Sequence, residues 1–274
     1  MNKRILLTGG SGFVGRQILS ALAKDDSLVR LVLRRGSEQA FKPSSNLEMV
    51  LTDDLFAENT EWWGDVCDGV DTVVHAAWYA EPAQYMQSPK NLDCLMGTLS
   101  LASACIQKGV RRLVGIGTCA EYDMSAGYLS IDTPLKPTSC YAGAKAAVFL
   151  SLNNLLPAQG IEFAWCRLFY LYGEGEDSRR LVPYLRARLS AGETVDLTSG
   201  VQIRDYLDVR KAGSEIAAVA LGTQTGPINI CSGTPQTVRE LAEKIADEYG
   251  RRDLLNFGAR PDNFFDPPCV VGVK

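Results

Sequence analysis

What the sequence has little of already narrows its chemistry. It carries one histidine, His75. Its eight cysteines, at positions 67, 94, 105, 119, 140, 166, 231 and 269, are dispersed without a C-x-x-C pair. That spacing reads as reduced thiols of a cytoplasmic protein, not as a disulfide framework, and no metal-ligand set is apparent. No apolar run approaches the ~20 residues needed to cross a bilayer. Met1–Arg4 leads straight into the short run Ile5–Leu7, which is no secretory signal. Lysines and arginines are scattered, and the net charge is −4, so nucleic acid is not the expected partner. Hydrophobic residues at 46% and charged residues at 22% suit an ordinary globular chain.

What is present is an alternation of short β-rich runs with longer helical ones. Arg4–Leu7, Val29–Leu33, Leu47–Leu51, Asp71–His75, Arg112–Ile116 and Phe163–Leu168 read as strands. Between them, Val14–Ala23, Leu92–Lys108 and Tyr141–Leu156 read as helices, the second ending at Gly109 and the third stopping at Pro157. This rhythm predicts a doubly wound parallel sheet of Rossmann type over residues 1–168. After Leu168 the rhythm breaks. Helices near Leu181–Ala191 and Val238–Tyr249 and a strand at Thr194–Leu197 predict a smaller C-terminal substrate-binding lobe over 169–274. A segment around 201–232 is expected to return to the main domain. The chain ends at Gly272-Val273-Lys274 without an obvious closing element, which suggests a further C-terminal piece.

Gly9-Gly10-Ser11-Gly12-Phe13-Val14-Gly15 lies between the first strand and the first helix. Glycines there make a tight turn and let backbone approach a pyrophosphate, while the helix N-terminus offers free N–H groups. Where a dinucleotide-binding fold usually carries an acid after the second strand, this chain has Arg34-Arg35. A guanidinium suits an adenosine 2′-phosphate, so NADP(H) is expected over NAD(H). The bland reading is a pair of solvated turn residues.

Tyr141-Ala-Gly-Ala-Lys145 places a phenol and an ammonium on one helix face. A nearby ammonium favours phenolate, so Lys145 is expected to lower the Tyr141 pKa from its ordinary value near 10. By itself this spacing is common. Thr118, at the end of the fifth strand, adds a hydroxyl at the edge that faces a cofactor crevice.

With these residues in place, the chain resembles the extended short-chain dehydrogenases/reductases that act as nucleotide-sugar epimerases, dehydratases and reductases. The resemblance runs almost end to end. It includes the glycine loop, Asp53-Asp54-Leu55, His75-Ala76-Ala77, Gly97-Thr98, Thr118-Cys119-Ala120-Glu121-Tyr122 and Pro134…Pro137. Further along it includes Arg167…Tyr172-Gly173, Arg204-Asp205-Tyr206 and Asn229…Gly233. It implies a proton relay of Thr118, Tyr141 and Lys145. It also implies adenine contacts from Asp54 and Leu55, cofactor contacts from Ala76 and Ala77, and a pyrophosphate contact of the nucleotide sugar from Arg204. A salt bridge of Arg204 with Asp205 or Asp208 is the structural alternative, and Arg260 is a second candidate for the substrate. Homodimers are frequent in this family.

Departures from the family pattern narrow the reaction. Sugar 4,6-dehydratases carry an Asp-Glu pair after the threonine, and this chain has Cys119-Ala120. Glu121 comes one place later, where it is expected to point elsewhere. Tyr170 stands where the family has asparagine, altering the substrate pocket, and Cys94 replaces a second asparagine. Trp78 follows the fourth strand and either lines the sugar pocket or packs structurally. Trp62-Trp63 reads as packing, and His75 as structural. The leading expectation is an NADP(H)-dependent reductase of a nucleotide-linked 4-keto sugar. A nucleotide-sugar C4 epimerase with retained cofactor and a non-catalytic NADP(H)-sensing regulator remain open alternatives.

Overall fold

The computed structural model describes residues 3–25, 27–263 and 266–274. From the N-terminus the elements are β1 (Arg4–Thr8), α1 (Phe13–Leu22), β2 (Leu28–Arg34), β3 (Leu47–Thr52), α2 (Thr60–Cys67), β4 (Thr72–His75) and α3 (Lys90–Lys108). Next come β5 (Arg112–Thr118), β6 (Tyr128–Leu129), α4 (Cys140–Ala158), β7 (Glu162–Leu168), β8 (Tyr170–Tyr172) and α5 (Leu181–Ser190). The remainder is β9 (Val195–Leu197), β10 (Ile203–Asp208), α6 (Val209–Leu221), β11 (Gly226–Ile230), β12 (Pro235–Thr237), α7 (Val238–Tyr249), β13 (Leu255–Phe257) and β14 (Cys269–Gly272).

Seven strands pair in parallel in the order β11-β7-β5-β4-β1-β2-β3. The winding reverses between β1 and β4, and a crevice opens at such a point outside the carboxyl ends of the strands. Alternate residues of each strand feed opposite faces, so a sheet covered on both sides needs continuous apolar runs. Ile5, Leu7 and Leu31 pack with Ile18 and Leu22 of α1 and Ile216 of α6. Leu6, Val32 and Val73 pack on the other side with Trp63 of α2, Leu101 of α3 and Leu152 of α4.

A second core joins Val182, Leu185 and Leu189 of α5 to Leu241 and Ile245 of α7, with Val195 and Leu197 of β9. Within residues 201–232, α6 and β11 lie against the main sheet. The strand β10 instead carries a small mixed sheet with β12, β14, β6 and β8.

Several boundaries differ from the sequence reading. The helix α4 does not stop before Pro157 but runs through it to Ala158. A proline costs one ladder hydrogen bond and crowds the preceding turn, and here only one helical residue follows it. The N–H groups of Gln159 and Gly160 then close the end onto Leu155, Leu156 and Pro157. The strands β6, β8, β12, β13 and β14 have two to four residues each, too short for a readable period. The last of them, β14, pairs with β10 and β6. Among the described residues no helix is long and apolar enough to cross a membrane, and all eight cysteines are free.

Candidate active site

The crevice begins at the glycine loop. Gly9 has φ +72°, and a Cβ there would sit 2.6 Å from the Ala77 amide nitrogen. At Gly15 a Cβ would overlap the Gly9 carbonyl, so neither position accepts a side chain. Gly12 is the N-cap of α1 and donates its N–H to Gly9 O at 2.9 Å. Having no side chain, it leaves the first N–H groups of α1, from Phe13 and Val14 onward, for an external acceptor. The cradle fits a pyrophosphate. Ala76 and Ala77 hold the opposite wall through Thr8, whose hydroxyl accepts the Ala77 N–H at 3.2 Å.

At the end of β2, Arg34 and Arg35 are exposed. The Arg35 Nε meets Asp53 Oδ1 at 3.1 Å, while the Arg34 guanidinium has no hydrogen bond or ion pair among the described residues. Asp54 accepts the Phe56 N–H at 3.0 Å, shaping the turn after β3, and Leu55 packs partly into the core.

Thr118 ends β5, and Tyr141 and Lys145 occupy the first two turns of α4, whose N-cap Ser139 accepts the Ala142 N–H. The fold brings all three together. The Thr118 hydroxyl lies close enough to the Tyr141 phenol to oppose the rise of its pKa. The Lys145 Nζ donates to Ile116 O at 2.6 Å and lies 3.7 Å from the Trp78 ring centroid. Burial pushes the Lys145 ammonium down to about 7, opposed by the negative charge of Glu121.

Here the electrostatic expectation needs correcting. Burial raises the Tyr141 pKa instead of lowering it, and Tyr85 adds to the rise. The ammonium of Lys145 is turned to a backbone carbonyl and an indole face, and its own charge is weakened by burial. At neutral pH the phenol is therefore a proton donor. Tyr85 stands edge-on to it at 4.9 Å between ring centroids, and Trp78 at 6.4 Å. Trp78 is held by an indole N–H bond to Asn91 Oδ1.

His75 is buried between Thr8 (2.9 Å) and Thr98 (3.0 Å), and burial pushes its imidazole down to about 3. It stays neutral and structural.

Sequence reasoning missed the group directly behind Thr118. Glu121 is fully buried, with Oε2 on Arg167 Nε at 2.8 Å and Oε1 accepting the Thr118 N–H at 2.8 Å. Trp165 Nε1 donates to both carboxylate oxygens at 3.0 Å. Arg167 is wedged between the Tyr122 and Phe149 rings and donates to the Tyr122 hydroxyl. A signal existed in the glycines of β5. A Cβ on Gly115 would strike the Trp165 ring, and one on Gly117 would lie 2.6 Å from Glu121 Oε1.

The substrate candidates separate. Arg204 is buried and paired with Asp266 Oδ2 at 2.6 Å, with its guanidinium over Tyr170 at 5.2 Å. It is thus not a free pyrophosphate ligand, and its partner is neither Asp205 nor Asp208. Asp205 instead accepts N–H groups of Ser232, Gly233 and Gly272, and Asp208 caps α6. Cys119 lies under Thr118 in a small apolar cluster with Phe169 and Val270, its thiol pushed up to about 12 by burial. Tyr170 packs against Tyr206, and burial raises its phenol too. Arg260 lines an open cavity of about 290 Å³ with Arg179, Tyr184 and Thr198. Arg179 also reaches across to Glu81 at 2.8 Å, which ties this cavity to the loop carrying Tyr85.

Comparison with known proteins identifies the family and the fold. The model of the NAD dependent epimerase/dehydratase family matches residues 5–231. The dTDP-6-deoxy-L-talose 4-dehydrogenase (NAD(+)) of Aggregatibacter actinomycetemcomitans is 23% identical over 275 residues, 98% of this chain and 99% of that protein. UDP-glucuronic acid decarboxylase 6 of Arabidopsis thaliana is 27% identical over 265 residues, 90% of this chain and 74% of that protein. Among solved structures, UDP-N-acetylglucosamine 4-epimerase of Methanobrevibacter ruminantium M1, in complex with UDP-N-acetylmuramic acid, superposes with a TM-score of 0.86. It is 22% identical and covers 99% of this chain and 89% of that one.

Proposed function

The chain belongs to the NAD dependent epimerase/dehydratase family, and from that premise we propose that it is an NADP(H)-dependent reductase of a nucleotide-linked 4-keto sugar. The observation that carries this reading is the composition of the site after Thr118. Cys119 and Ala120 can neither protonate a leaving hydroxyl nor abstract a carbon-bound proton. The nearest carboxylate, Glu121, is sealed in its pair with Arg167. What remains is a hydroxyl and a protonated phenol side by side, which is the equipment for carbonyl reduction. One relative is named for the reverse step, a 4-dehydrogenase.

The glycine loop would hold a dinucleotide, which when bound would supply the hydride for the carbonyl carbon. Tyr141 gives its proton to the carbonyl oxygen, and Thr118 hydrogen-bonds that oxygen and orients it. Lys145 holds the ribose side of the site and returns a proton toward Tyr141. Trp78, Cys119 and Tyr170 shape the space around the sugar. The nucleotide end would face the cavity lined by Arg260, whose guanidinium suits a phosphate, while Arg179 is already paired with Asp177 and Glu81. Arg204 supports that lobe from beneath through Asp266.

The test is incubation with NADPH and a 4-keto-6-deoxy nucleotide sugar. The expected result is stoichiometric NADPH consumption and a single alcohol epimer. Interconversion of two saturated hexose epimers without net NADPH use would replace this reading by a C4 epimerase. Binding of NADPH without turnover of any keto sugar would favour a sensor.

The cofactor preference is tested separately. Arg34→Ala with Arg35→Ala should weaken NADPH binding by about 2–3 kcal/mol of charge-assisted hydrogen bonding. NADH binding should change little, because it has no 2′-phosphate for these guanidinium groups to hold. Equal losses for both cofactors in titration calorimetry would remove the 2′-phosphate assignment.

A further inference from the structure

We propose that Glu121 is a positioning residue of this site: its carboxylate seats Thr118 from behind and supplies the buried negative charge against which Lys145 and Tyr141 hold their protons. The inference rests on the reading of Thr118, Tyr141 and Lys145 as the working groups.

Three independent contacts carry it. Glu121 closes a capping box with Thr118, accepting the Thr118 N–H while the Thr118 hydroxyl accepts the Ala120 N–H at 3.2 Å. The backbone of the hydroxyl that faces the substrate is thus fixed by this one side chain. Room for the carboxylate is kept by Gly117, immediately before Thr118. The indole that clamps both carboxylate oxygens, Trp165, has its ring 5.8 Å from Lys145 Nζ, so the carboxylate and the ammonium share one wall.

A carboxylate used only to neutralise Arg167 would not need to lie under the reacting groups. This one does, and its charge favours the protonated forms of both Lys145 and Tyr141. The other titratable groups facing Lys145 and Tyr141 are His75 on β4, Cys94 on α3, Cys119 beside Thr118 and Tyr85 in the loop after β4. Arg167 on β7 and Tyr122 face Glu121 from below. His75 is neutral above its depressed pKa, and the two thiols are pushed up by burial, so Glu121 and Arg167 carry the nearby formal charges. Of these two, the carboxylate is the one joined to Thr118.

The sign of each variant follows. Glu121→Gln removes the negative charge and leaves Arg167 uncompensated, so the charged form of Lys145 becomes less favourable. Its titration midpoint falls below about 7. Glu121→Gln combined with Arg167→Met removes the same charge without stranding its partner, and because Glu121 is the largest charge acting on Lys145 the midpoint falls here too. The experiment is NMR titration of ¹³Cε-lysine-labelled full-length protein, with the Lys145 signal assigned by its loss in Lys145→Met. Both variants are expected to lower the midpoint, by roughly one pH unit, the scale of one nearby charge. An unmoved Lys145 midpoint in both variants, with only a lower melting temperature, would overturn the proposal and leave Glu121 as a structural partner of Arg167.

Should Glu121→Gln fail to fold, the double variant decides alone: a fall supports the proposal, and no change or a rise overturns it. The pH limb of kcat should move with the Lys145 signal in each variant. Because the titration needs no substrate, shifted midpoints without keto-sugar turnover would sink the reductase reading and leave the positioning role standing.

Discussion

Tyr141→Phe should lower kcat by ~10²–10⁴, the range that a positioned general acid contributes. In the proposed reaction the phenol gives the proton, and burial keeps it protonated at neutral pH. Phenylalanine retains the ring that packs against Tyr85 and Trp78, so the melting temperature and NADPH affinity should be unchanged. Steady-state kinetics alongside thermal melting separate the two effects. A loss of less than tenfold would mean that the proton comes from elsewhere, with Thr118 or a bound water as the donor. The pH dependence is informative as well. A donor with a raised pKa keeps its proton through the neutral range, so a limb of kcat at about 7 should belong to Lys145, and Tyr141 should add a decline only on the alkaline side.

The largest stability effect is expected at Arg167. Arg167→Met leaves the fully buried Glu121 carboxylate with N–H donors alone and removes the cation sandwiched by Tyr122 and Phe149. Breaking one side of a buried pair costs about 3–5 kcal/mol, because the remaining charge has no water to turn to. For a chain of this size the melting temperature should fall by roughly 10 °C. Replacing both partners, as Arg167→Met with Glu121→Gln, should recover most of that loss, since two neutral groups need no counter-charge. Equal destabilisation in the single and double variants would show that Arg167 acts through packing alone.

The parts of this molecule that the sequence made legible are those whose cause is local. Gly9 and Gly15 are glycines because of atoms a few residues away or one strand over, and their spacing announces the turn. Tyr141 and Lys145 share a helix face by their four-residue separation. Continuous apolar runs such as Ile5–Leu7 mark strands covered on both faces. What stayed hidden depends on contacts made across the fold. Spacing brought Lys145 to the correct face, but the end of its long side chain settles on Ile116 O and Trp78, 29 and 67 residues before it. Arg204 finds Asp266, not either nearby aspartate, because β10 places those two on backbone amides. Glu121 and Arg167 lie 46 residues apart, and neither residue alone advertises the other.

The packing of α1 against α6 has a consequence for how the chain is made. Ile18 and Leu22 are covered by Ile216, Ala217 and Ala220, and Gly213 lets the two helices approach so closely that a Cβ there would meet the Gln17 backbone. The edge of the main sheet is likewise closed by β11. The ribosome finishes the glycine loop early, yet the segment that covers the adjoining helix emerges only after Val209. At about 5–20 residues per second, the nascent N-terminal half carries this open apolar face for roughly 10–40 s. Synonymous codon changes that slow elongation between residues 23 and 208 should therefore lengthen this exposure and reduce soluble yield without altering a single amino acid.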